Sequence, residues 1–115
     1  MRIKILVLAI AAWCVSCSTL ESTTFIDPGK SFELGKNEHA AFSVNVENKG
    51  KSPIEIYHAP IDGGKHSSEM VAVGGKTKIK VDPNTALIFK NANPDTATVS
   101  LRVHGDLGLS MQYAK

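Results

Sequence analysis

The stretch ATVSLRVHGDLGLSMQY, residues 97–113, decides how the chain is read. Ala97, Val99, Leu101 and Val103 alternate with Thr98, Ser100, Arg102 and His104. Successive side chains of a strand point to opposite faces, so this alternation marks a β-strand with one buried face. Gly105-Asp106 comes next, and Gly in the first position of a two-residue turn accepts the positive φ that tight hairpins need. Leu107, Leu109, Met111 and Tyr113 then alternate with Gly108, Ser110 and Gln112. The expectation is a hairpin that sends both of its apolar rows inward.

The same grammar extends upstream. Phe42, Val44 and Val46 oppose Ser43, Asn45 and Glu47, and residues 48–53 (NKGKSP) form a turn. Ile54 and Ile56 then share a face against Glu55 and Tyr57. Thr77, Ile79 and Val81 oppose Lys76, Lys78 and Lys80, and Asp82-Pro83-Asn84 turns the chain. Ala86 to Phe89 is a continuous apolar run, which suits a strand covered on both faces. Residues 91–95 (NANPD) turn it again, with a faint internal echo: Asn48 precedes Ile54, and Asn91 precedes Ala97, by the same interval. Phe25, Phe32, Phe42 and Phe89 fall at apolar positions and are expected in the core. No segment carries a helical period. The predicted fold is all-β: a small antiparallel two-sheet β-sandwich, Ig-like or jelly-roll-like, with a small β-barrel as the alternative.

The N-terminus reads differently. Arg2 and Lys4 precede an uncharged apolar run from Ile5 to Val15. Such a run matches a secretory leader and is too short to span a bilayer as a helix, which takes about 20 residues. It ends at Cys14-Val15-Ser16-Cys17. Val15, Ser16 and Cys17 resemble a bacterial lipobox, whereas Cys14 stands where that pattern usually has Leu. The resemblance implies cleavage before Cys17, a diacylglyceryl thioether on its sulfur, and anchoring to a lipid bilayer in the bacterial cell envelope. Ser18, which follows, implies the outer membrane, facing the periplasm. An ordinary cleaved signal peptide or a retained N-terminal anchor is the alternative. The domain reading is a leader over residues 1–16, the lipidated cysteine and a Ser/Thr-rich tether over 17–24, and a β-sandwich over 25–115.

Removal of residues 1–16 leaves 99 of the 115 residues, enough for one modest domain. Cys14 departs and Cys17 is acylated, so no intramolecular disulfide is available. Arg2 and Lys4 also leave, which takes the 13 Lys and Arg to 11, against 11 Asp and Glu. A formally neutral domain lacks the basic footprint that nucleic acid demands.

Three features could carry chemistry. Residues 58–69 (HAPIDGGKHSSE) form the longest stretch without strand character. With Tyr57 exposed beside it, His58, Asp62, Lys65, His66 and Glu69 are the candidates for ligand or partner binding, because recognition residues concentrate on loops held by a rigid scaffold. A nucleophilic set drawn from Ser67 or Ser68, His66 and Asp62 would sit within one loop and lack rigid orientation, so no catalytic residues are assigned. Lys76, Lys78 and Lys80 make a basic strip, either for an acidic partner or as protection of an exposed sheet edge. His39, His58, His66 and His104 share no strand or helical pair spacing, so no metal site and no cofactor is expected. Trp13 leaves with the leader, and Tyr113 is expected to point inward. The function expected is that of a lipid-anchored interaction or accessory module with an envelope protein as partner. A glycan- or small-ligand-binding module and a small hydrolase inhibitor are the alternatives.

Overall fold

The computed structural model describes residues 19–114. The expected leader over residues 1–16, Trp13 and the Cys14–Cys17 stretch lie outside the described residues. Among these, nine strands and no helix occur: β1 (Leu20–Ile26), β2 (Ser31–Leu34), β3 (Phe42–Asn48), β4 (Ile54–Pro60), β5 (His66–Val71), β6 (Lys76–Val81), β7 (Thr85–Lys90), β8 (Ala97–Gly105) and β9 (Met111–Ala114).

They form two antiparallel sheets, one ordered β1-β8-β3-β6 and the other β5-β4-β7-β2-β9. Neither sheet closes on itself, so the architecture is a sandwich and the barrel alternative falls away. In the first eight strands β1 pairs with β8, β2 with β7, β3 with β6 and β4 with β5. The chain is therefore one long hairpin, tipped at residues 61–65 and rolled so that alternate segments enter opposite sheets. This is jelly-roll order, with β9 added beside β2.

The alternation seen in the sequence sets the core. Phe42, Val44 and Val46 from β3 and Val99, Leu101 and Val103 from β8 face Ile54, Ile56, Leu87 and Phe89 of the other sheet, all buried. β7 is central in its sheet and buried from Thr85 to Phe89. That accounts for its unbroken apolar run, since a strand shielded on both faces has no need for polar positions.

Four local expectations are corrected. Leu20–Thr24 is not a tether but the first part of β1, which pairs with β8 from Leu20↔Val103 to Ile26↔Ala97. Phe25 stands on the solvent side of that strand and is 58% exposed, because Thr24 and Ile26 take the inward positions. The stretch 58–69 is strand at both ends, leaving only residues 61–65 as the turn. Finally, β8 and β9 are not hairpin partners. β9 pairs with β2 in the opposite sheet, so residues 106–110 cross from one sheet to the other.

Gly105 does have positive φ, at 101°, but for a different reason. A Cβ there would lie 3.0 Å from both the Ala41 carbonyl oxygen and the Phe42 Cα, so the close approach of β3 requires glycine. The crossing is then held by side chains. Asp106 Oδ2 accepts from the Ala40 N–H at 2.8 Å, its Oδ1 accepts from the Gly108 N–H at 2.8 Å, and Asn37 Oδ1 accepts from the Ser110 N–H at 2.9 Å. Tyr113 does face inward, its ring 5.4 Å from that of Phe32, yet it is 57% exposed because β9 is an edge strand.

Candidate functional site

The outer face of the five-stranded sheet has an apolar floor. Tyr57 and Ala59 of β4 lie opposite Ile88 and Ala86 of β7. Lys36, Asn37 and Glu38 line one side of this floor, and Pro60, Ile61 and Lys65 line the other. The groove between them has a volume of about 600 Å³, within the range of small-molecule sites. Ile61 is 55% exposed at its lip, where an isolated apolar side chain gains nothing from water.

A polar cluster borders the groove at β4 and β5. Lys65 Nζ lies 3.0 Å from Glu55 Oε2 and 4.5 Å from the centre of the Tyr57 ring. Ser68 Oγ donates to the same Glu55 oxygen at 2.7 Å. The Glu55 carboxyl is held below its ordinary value, first by the Ser68 hydrogen bond and then by Lys65. A second cluster stands across the floor: Gln112 Nε2 donates to Glu33 Oε1 at 2.7 Å, and Lys36 Nζ lies 3.5 Å from Glu33 Oε2. The ends of the groove thus carry fixed charges of both signs, with apolar surface between them.

The residues singled out from the sequence divide among three places. Tyr57 and Lys65 meet in the groove. Asp62 and His66 line a neighbouring depression with Asp82, Asn84 and Thr85. His58 lies on the inner side of β4 in register with Leu87 and His66. Glu69 also points away from the groove, its carboxylate 3.5 Å from the Thr77 hydroxyl at the margin of the other sheet. Ser68 donates to Glu55, beside the bulge that shifts register between Ile56 and His58. Among the described residues, no group of three or more His, Cys, Asp or Glu side chains could hold a metal ion.

Lys76, Lys78 and Lys80 line one side of β6, opposite Glu47, Asn45 and Ser43 of β3. β6 is an edge strand, so the row stands where pairing with another sheet would occur. Beside it lies a polar shelf of about 510 Å³ bordered by Lys76, Lys78, Glu47, Glu21 and Arg102. The Glu21 carboxylate there takes a two-pronged bond from Arg102, at 2.7 and 3.1 Å.

Sequence reading missed Glu33, Lys36, Ala86 and Ile88 as groove residues. A signal existed for two of them: the run 86–89 has apolar residues on both faces, and the outward pair, Ala86 and Ile88, is the floor. Glu33 and Lys36 carried no such signal, because only sheet order brings β2 beside β7. No protein-family model and no curated protein matches this chain.

Proposed function

We propose that the chain is a bacterial envelope lipoprotein, anchored through acylated Cys17, whose β-sandwich works as a protein-interaction module. The groove on the five-stranded sheet is its recognition surface. The observation that carries the reading is the pairing of an apolar floor (Tyr57, Ala59, Ala86, Ile88) with fixed charge clusters at Glu55–Lys65 and Glu33–Lys36. A partner's apolar side chain gains from burial against the half-buried Tyr57 and Ala59 and the exposed Ile61, above the already buried Ala86 and Ile88, and the charges set register and exclude mismatched partners.

The test is crosslinking in living cells with a photoreactive residue in place of Ile61. Stoichiometric capture of one envelope protein, lost when Ala59→Glu places a carboxylate on the floor, supports the reading. Recovery of bulk envelope alone counts against it. A second reading, a binding module for a glycan or small solute, is favoured by the groove volume of about 600 Å³. The position of Lys65 over the Tyr57 ring weighs against sugar stacking there. Ligand screening by glycan array and by thermal shift separates the two.

A further inference from the structure

The antiparallel pairing puts the connections of the sandwich at two opposite ends. Residues 35–41, 61–65, 82–84 and 106–110 lie at one end, and residues 27–30, 49–53, 72–75 and 91–96 at the other. β1 starts at the first of these ends, since Leu20 pairs with Val103 close to where β8 finishes. Its attachment is firm. Every residue from Leu20 to Ile26 has a partner on β8, and Arg102 grips Glu21 beside the first pair. Thr19 is also engaged, with Oγ1 at 3.4 Å from His104 Nδ1.

We propose that this end of the sandwich rests on the bilayer surface. The inference takes acylation of Cys17 from the proposed function. Ser18 alone separates Cys17 from Thr19. Two residues of extended chain span at most about 7 Å. An acylated Cys17 is thus held against the folded domain, and a β1 paired with β8 along its whole length adds no slack to the tether. The partner of this end is the lipid headgroup layer. Its charged side chains are Lys36 and Lys65 against Glu38, Asp62, Asp82 and Asp106, with Ile61 exposed, so the short tether and not charge attraction brings this end to the headgroups. The groove, walled by residues 36–38 and 60–65, opens beside the membrane, so its partner is met at the bilayer surface.

The experiment uses the full chain, processed in bacteria and reconstituted into phosphatidylethanolamine/phosphatidylcholine vesicles, with acylation of Cys17 read by mass spectrometry. With Cys17 blocked by its lipid, a single cysteine can be labelled at either end, through Ile61→Cys or Lys51→Cys. Headgroup spin-labelled lipid is expected to quench a fluorophore at 61 several-fold more than one at 51. Insertion of about ten Gly/Ser residues between Ser18 and Thr19 should bring the two to parity. Equal quenching at both positions in acylated, vesicle-bound protein overturns the orientation while leaving the anchor intact. A mature chain with no acyl group on Cys17 overturns the anchor, and the orientation with it.

Discussion

Asn48 and Asn91 make the same set of hydrogen bonds at two different corners of the sandwich. Asn48 Nδ2 donates to the carbonyls of Ser52 and Val71 at 2.9 and 3.0 Å, and its Oδ1 accepts from the Gly50 N–H at 2.9 Å. Asn91 Nδ2 donates to the carbonyls of Asp95 and Ile26 at 2.7 and 2.9 Å, and its Oδ1 accepts from the Asn93 N–H at 3.0 Å. Both are 1% exposed. Each stands where the chain leaves one sheet for the other. Each closes its own turn and ties it to a strand of the sheet being entered, β5 for Asn48 and β1 for Asn91. The shared interval from Asn48 to Ile54 and from Asn91 to Ala97 is the trace of this device in the sequence.

Loss of either amide should therefore be costly. Asn48→Ala or Asn91→Ala strands buried carbonyls and an N–H group, so each is expected to destabilise the fold by about 2–4 kcal/mol. Urea denaturation followed by circular dichroism measures this. A loss below about 0.5 kcal/mol at either site would mean that water replaces the amide and that the corners are not structural.

Phenylalanines at similar-looking apolar positions should separate sharply. Phe89 is fully buried and packs against Phe32, with ring centres 6.0 Å apart, while Phe25 is 58% exposed. Phe89→Ala is expected to cost about 3–5 kcal/mol. Phe25→Ser should change stability by less than about 0.5 kcal/mol. Thermal melts of the two variants give the comparison, and similar costs would contradict the assignment of faces in β1.

Acid should loosen the crossing loop before the core. The Asp106 carboxyl is held below its ordinary value by the Ala40 N–H, then the Gly108 N–H, and further by the charge of His39. With the folded value depressed, its contribution to stability is complete above the ordinary aspartate range and is lost as pH falls through the lower, folded value. Protection factors of the Ala40 and Gly108 amides, with the intrinsic slowing of exchange in acid divided out, are expected to drop across that window in the wild type. Asp106→Ala, which removes both acceptor oxygens, should show weak protection at these amides at neutral pH as well. Unchanged protection in the variant would show that the bonds to Asp106 do not hold the loop.

The lysine row predicts an association phenotype. Lys76, Lys78 and Lys80 stand on the β6 edge strand of the four-stranded sheet, where lysines hinder pairing with another sheet. Replacement of all three by Thr is expected to produce concentration-dependent dimers or larger species in sedimentation velocity, with secondary structure unchanged. A variant that stays as monodisperse as the wild type would assign the lysines to an acidic partner instead.

Alternation alone determined which residues face inward on β3, β6 and β8, because a strand's side-chain period is a local property of the backbone. It also marked β7 as a strand shielded on both sides, and the turn residues between these elements set the all-β class. Neighbours were another matter. Two rows as regular as 97–103 and 107–113 read as one hairpin, yet tertiary packing sends β9 to the opposite sheet, because β2 offers an open edge there and Leu107 and Leu109 find cover against the core. The same limit hid the groove. Tyr57 and Lys65 were legible as candidates because they lie near one turn, whereas Glu33, Lys36, Ala86 and Ile88 join them only through the order β4-β7-β2. Hydrophobic period is written along one strand, but a surface made from three strands exists only once non-local hydrogen bonds have chosen which strands lie side by side.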